Sequence, residues 1–108
     1  MPFPVWLTDD AASDLELLYE YVAFHDSPQK ADYLLKQNEK TFSKLSEYPQ
    51  RGTYPKELLA LGIREYREIF FKPYRIIYRI IDRDVYVLLI VDGRRDMQSL
   101  LQKRLLNS

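Results

Sequence analysis

The chain has 108 residues, of which 46% are apolar and 30% charged, with no cysteine and a formal net charge of zero. That is one globular domain over residues 1–108, with a core too modest to suit a large cofactor. It excludes a disulfide framework and a cysteine zinc site, and with neither a membrane-length apolar run nor a basic leader the expected setting is the cytoplasm, with no cofactor and no membrane.

Phe3, Val5 and Leu7 alternate with Pro4 and Trp6, which predicts a short first strand; its prolines put it at a sheet edge. Thr8 fits a helix N-cap, and Asp9 and Asp10 fall in the first turn, where the helix dipole favours them. Ala11, Leu15, Leu18, Tyr19 and Val22 then recur at helical spacing. Ser27-Pro28 reads as a second N-cap and first-turn proline, followed by the stripe Ala31, Leu34, Leu35, Asn38, Phe42 and Leu45. The short join makes the two helices an antiparallel hairpin. Pro49 ends it, and Tyr54 to Leu61 is a connector with room for one helical turn.

From Gly62 the period becomes two. Ile63–Phe71, Tyr74–Ile81 and Val85–Val91 are predicted strands joined by the turns at Lys72-Pro73 and Asp82-Arg83-Asp84, an antiparallel meander whose last, nearly all-apolar strand is central. Asp96 to Leu106 reads as a closing helix. The expected fold class is α+β, in the order β-α-α-β-β-β-α: an N-terminal strand and a helical hairpin packed on one face of a mainly antiparallel sheet. Tyr74, Ile76, Tyr78 and Ile80 share the face toward the hairpin. Arg75, Ile77, Arg79 and Ile81 share the other, which is expected to be at least partly open because arginines do not belong in an apolar core.

The charges are unevenly spread. Residues 1–59 hold 6 Lys/Arg against 10 Asp/Glu, and residues 60–108 hold 10 against 6. The basic half is a candidate face for an acidic partner. Arg75 and Arg79 lie about 7 Å apart on one strand face, and Arg94 and Arg95 follow the next strand. Convergent guanidinium groups would make a site for phosphate or carboxylate, since each offers paired planar donors and stays charged. Paired instead with Asp82, Asp84, Asp92 or Asp96, they would be ordinary surface residues. Lys72 and Arg67 could extend the basic face. His25, the single histidine, sits at the hairpin tip, far in sequence from these arginines, and no metal-ligand spacing or Ser/His/Asp set is present.

Leu61-Gly62-Ile63-Arg64-Glu65-Tyr66-Arg67, then Tyr74-Arg75-Ile76-Ile77-Tyr78, then Gly93-Arg94-Arg95-Asp96 resemble, in order and spacing, the C-terminal half of RelE/ParE toxins. Ala11, Asp14, Leu15 and Tyr21 in the first helix and Tyr48-Pro49-Gln50-Arg51-Gly52 at the hairpin exit resemble the N-terminal half. The resemblance implies the toxin component of a type II toxin–antitoxin, plasmid-stabilising system. Its partner would be a co-expressed, DNA-binding antitoxin whose tail wraps the toxin. It leaves two activities open: ParE-like poisoning of DNA gyrase by binding, and RelE-like ribosome-dependent cleavage of messenger RNA. A non-toxic module of the same fold is a third reading. In the RelE pattern Arg75 and Arg95 would contact the phosphate, with Lys72 or Arg67 assisting the nucleophile. That pattern also has a C-terminal Tyr where this chain has Leu100-Leu101, and a lysine pair on the first meander strand where it has Arg67 and Ile69. These departures favour the gyrase reading, for which Arg94, Arg95 and the C-terminal helix are the first contact candidates and no catalytic residue is assigned.

Overall fold

Caps and turns set the element boundaries. In the structure, a computed structural model that describes residues 2–106, Thr8 Oγ1 accepts the Ala11 amide at 3.2 Å and opens α1 (Asp9–His25). Ser27 Oγ accepts the Lys30 amide at 3.1 Å, and Pro28 starts α2 (Pro28–Ser43). Two short 3-10 turns, Lys44–Ser46 and Pro49–Arg51, carry the chain out of the hairpin. The expected helical turn in the connector is α3 (Lys56–Leu59).

The strands are β1 (Val5–Leu7), β2 (Arg67–Phe71), β3 (Tyr74–Ile81) and β4 (Asp84–Asp92), ordered β1-β4-β3-β2. β1 runs parallel to β4, and the other pairs are antiparallel. β2 is shorter than the expected Ile63–Phe71. Gly62, at φ 76°, turns the chain, and Ile63 and Tyr66 drop out of the strand to pack against a core. The closing helix is α4 (Met97–Leu101), continued by a π-helical turn at Gln102–Leu106.

The sheet has a core on each face. On the hairpin side, Ala11, Leu15 and Phe42 meet Ile76, Tyr78, Val85 and Val87. On the other side, Leu58 of α3 and Met97 and Leu101 of α4 meet Ile77, Leu89 and Val91. The second face is therefore half open, in line with the expectation of a face at least partly open, and the covered half has a physical reason. The apolar residues of α3 and α4 need cover, and the nearest apolar sheet surface lies around Ile77.

β4 outlasts β1, so its last residues need other partners for their outward backbone groups. The register slips between Ile77 and Tyr78, which face Leu89 and Val87, so Leu88 is left without a partner residue. Arg104 Nη1 donates to the Leu88 carbonyl at 2.9 Å. Asp14 Oδ2 accepts the Ile90 amide at 3.0 Å. Asp14 and Arg104 also form a bidentate pair at 2.9 Å on each arm, tying α1, the β4 edge and the C-terminal turn together. No helix among the described residues is long and apolar enough to cross a membrane.

The hairpin exit is clasped by one phenol. Tyr78, fully buried, donates to the Pro49 carbonyl at 2.5 Å and accepts the Gly52 amide at 3.0 Å. A Cβ at position 52 would collide with the Tyr78 hydroxyl and the Glu68 carbonyl, so only glycine lets the backbone approach this closely. Removing the hydroxyl leaves two buried backbone groups unpaired. Tyr78→Phe is expected to lower the unfolding free energy by about 1–3 kcal/mol. Urea denaturation checks this: the midpoint should fall with the slope unchanged.

Candidate functional site

The four candidate arginines do not converge. Arg75 points to the second face, as alternation predicts, but that end of the face is covered and Arg75 is only 7% exposed. Its Nε donates to Glu68 Oε1 at 2.7 Å. Its Nη1 and Nη2 grip both oxygens of Glu57 at 2.9 and 2.8 Å. Gly93 sits against its aliphatic stem, where a Cβ would come within 2.8 Å of Arg75 Cγ. A guanidinium in a central strand must be neutralised, and α3 supplies one carboxylate while β2 supplies the other. Arg75 thus lies under cover with its guanidinium paired, rather than on an open side of the sheet as the alternation suggests.

The two carboxylates respond oppositely to this arrangement. Hydrogen bonding from Arg75 holds the Glu57 carboxyl below its ordinary value. Burial pushes the deeper Glu68 above its ordinary value, and the shared guanidinium offsets this only in part. Arg75 is held above the ordinary guanidinium value, first by Glu57.

Arg79 lies on the open half of the same face. Its guanidinium carbon is 5.7 Å from the Tyr66 ring centroid, and among the described residues no carboxylate lies within 4.0 Å of it. Arg94 and Arg95 are exposed at the turn after β4. Arg94 is tied to Asp92, its Nε 2.9 Å from Oδ1 and its Nη2 2.5 Å from Oδ2, which holds the Asp92 carboxyl below its ordinary value. Arg95 makes no such pair among the described residues. Both line a groove of about 460 Å³ between α1 and the end of β4. Its walls are Leu17, Leu18, Tyr21 and Val22 of α1 and Ile90 of β4. Leu17 and Tyr21 are 60% and 62% exposed, so the groove is an apolar trough with a cationic rim.

The assisting cations are placed differently. Arg67 is half-buried: it donates to the Gly52 carbonyl at 2.9 Å and lies 4.7 Å from the Tyr54 ring centroid. It braces the hairpin exit rather than extending a basic face. Lys72 is exposed in the β2–β3 turn. His25 is exposed, as expected at the hairpin tip, and stacks on Tyr21 at 4.1 Å. Asn38 is buried and donates to the Leu34 carbonyl at 2.9 Å. The sequence reading missed Glu57, Glu68 and Arg104 as structural partners. Their signal was only a charge that had to be matched across 7, 18 or 90 residues.

Folding lowers the Glu57 pKa, so its contribution to stability is present above its ordinary value of 4.5 and is lost as the pH falls through its lower, folded value. Glu68 has the opposite sign: its ionisation costs stability above its raised folded value, and that cost lifts as the pH falls. Glu57→Gln should be less stable than the parent by about 1–3 kcal/mol at neutral pH. The difference should shrink as the pH drops from about 5 to 3. Denaturation series at several pH values test this; a pH-independent difference would mean that Glu57 acts through packing rather than charge.

A family model described as the ParE toxin of the type II toxin–antitoxin system parDE matches residues 5–97. The chain is 29% identical over 97 residues to toxin ParE3 of Caulobacter vibrioides, covering 90% of this chain and 93% of that protein. A structure of a chromosomal ParDE system from P. aeruginosa superposes with a TM-score of 0.71 at 17% identity, covering 83% of this chain and 95% of that one. A free E. coli RelE mutant superposes at 0.62 with 16% identity over 93% of each chain. The RelBE2 toxin–antitoxin complex of Mycobacterium tuberculosis gives 0.55 at 23% identity, covering 85% and 92%. At those identities the structures speak to the fold. The family match covers nearly the whole chain, and the chain therefore belongs to the ParE toxin family of type II toxin–antitoxin systems.

Proposed function

We propose that this toxin acts by binding DNA gyrase and stabilising its cleaved-DNA state, and that it does not cut messenger RNA. The observation that carries the reading is the burial of Arg75 between Glu57 and Glu68. Cleavage through a 2′-hydroxyl needs a cation on the phosphate and groups that move protons. Arg75, which the resemblance would place on the phosphate, already faces two carboxylates, so an approaching phosphate meets negative charge. Leu101 is buried in the second core and Leu100 packs against it, while Ile69 packs against the first, so the Tyr and Lys positions of the RelE pattern hold core residues. Each missing proton-transfer group forfeits a factor of roughly 100 to 10,000.

Purified toxin is expected to inhibit supercoiling by gyrase and to accumulate linear DNA, while primer extension on translated messages shows no codon-linked cuts. Absence of both inhibition and trapped breaks at high toxin excess would falsify the gyrase reading. Codon-linked cuts lost in Arg75→Ala would establish the RelE-like alternative instead.

The partner in the groove beside α1 is proposed to be the cognate antitoxin, through an acidic, partly apolar segment that folds on binding. The trough of Leu17, Tyr21 and Val22 supports an apolar anchor, and Arg95 at the rim supports a carboxylate. Tyr21→Ala should weaken antitoxin binding about 10-fold or more, as loss of an aromatic anchor does. Arg95→Glu should do so in a salt-dependent way. Titration calorimetry with the product of the neighbouring gene measures both.

A further inference from the structure

The open half of the second sheet face carries a row of side chains that the groove and the Arg75 cluster leave unused. Trp6 of β1 stands opposite Tyr86 of β4, and Tyr86 stands opposite Arg79 of β3. Residues opposite one another on paired strands project to the same side, so indole, phenol and guanidinium lie side by side across three strands. Each end of the row is held. The Trp6 indole Nε1 donates to Asp84 Oδ1 at 2.9 Å, and Arg79 lies over the Tyr66 ring. Trp6 is nonetheless 54% exposed, and Ile81 beside Arg79 is 45% exposed. Beside the row opens a hollow of about 320 Å³ whose lining includes Tyr86, Ile81, Leu88 and Leu105.

We infer that this row is the face by which the toxin engages its protein target, taking an apolar side chain into the hollow and a carboxylate onto Arg79. The inference rests on the gyrase reading above and gives it a contact surface. Tryptophan, tyrosine and arginine are the residues that dominate binding energy at protein interfaces, because each presents a large, stiff surface with a polar handle. Here the indole and guanidinium are already oriented, so little side-chain freedom remains to be lost on binding. Arg79 has no carboxylate partner of its own among the described residues, which fixes the complementary charge on the target. Arg104, the other cation at the hollow, is already committed to Asp14. A nucleic acid fits less well. Phosphate binding draws on several free cations, whereas the turn after Ile81 holds Arg83, drawn over the Phe3 ring, between Asp82 and Asp84, so that its three charges sum to one negative. The face is also separate from the groove, which lies between α1 and the far end of β4. Antitoxin and target can then be told apart by mutation.

The test uses full-length toxin carrying Trp6→Ala, Arg79→Glu or Arg79→Lys, with the exposed helix residue Lys40→Glu as a surface control. Thermal melts and binding to the cognate antitoxin establish that each variant is folded. Trp6→Ala and Arg79→Glu should each raise the toxin concentration for half-inhibition of supercoiling about 10-fold or more, with Arg79→Lys intermediate and Lys40→Glu unchanged. Trp6 is the sole tryptophan, so a fluorotryptophan label there should shift or broaden in the ¹⁹F spectrum when gyrase is added. Row variants that inhibit as well as an active parent overturn the inference and leave the gyrase reading standing. A parent that does not inhibit gyrase overturns both. Parent toxin that binds a DNA duplex without gyrase, and loses that binding in Trp6→Ala and Arg79→Glu, makes the row a nucleic-acid face and overturns protein docking.

Discussion

Arg75 is a permanent cation in the middle of a central strand, and much of the architecture follows from neutralising it. Its guanidinium cannot be released from charge by losing a proton. It must meet carboxylates where it lies, and it meets two. Glu68 comes from the neighbouring strand at almost no topological cost. Glu57 comes from α3, which is thereby pinned over the second sheet face together with Leu58. The same contact occupies the hydrogen-bonding edge of the guanidinium. One ion cluster therefore helps to roof half the sheet and leaves the Arg75 guanidinium paired on both sides.

What remains uncovered is set by the reach of α3 and α4. Both are short, and they cover Ile77, Leu89 and Val91 but not Arg79, Ile81, Tyr86 or Trp6. The trough along α1 and the open half of the sheet face differ in character. The trough along α1 is apolar with a cationic rim, suited to a flexible segment that gains order on binding. The sheet face is a stiff row of aromatic and guanidinium groups, suited to a preformed surface. Under the proposed function, keeping these apart lets the contacts to antitoxin and to target be tuned independently.

Part of this was legible in the residues. The alternation Tyr74 to Ile81 marked β3 to the residue and correctly sorted its two faces. Thr8 and Ser27 marked the helix starts because capping is a local hydrogen bond, decided within three residues. The start of β2 was misplaced because Ile63 and Tyr66 keep an alternating pattern while serving a core rather than a strand. Whether the arginines converge or pair with carboxylates stayed open in the residues, because spacing along one strand reports direction but not cover. Three of the six basic candidates, Lys72, Arg79 and Arg95, are accessible cations without a carboxylate or backbone partner among the described residues.

The sequence by itself determined the element order, the fold class, the face on which each β3 residue sits and the family resemblance. All of these are written in periodicity, caps and short motifs, which depend on neighbours a few positions away. The tertiary structure alone decided that Arg75 is neutralised, that Arg104 reaches across 90 residues to Asp14 and that Trp6, Tyr86 and Arg79 form one row. Those facts depend on which distant segments are brought within about 3 to 5 Å of one another. Charge and apolar patterning constrain that choice without specifying it, because any of sixteen acidic residues could have answered Arg75.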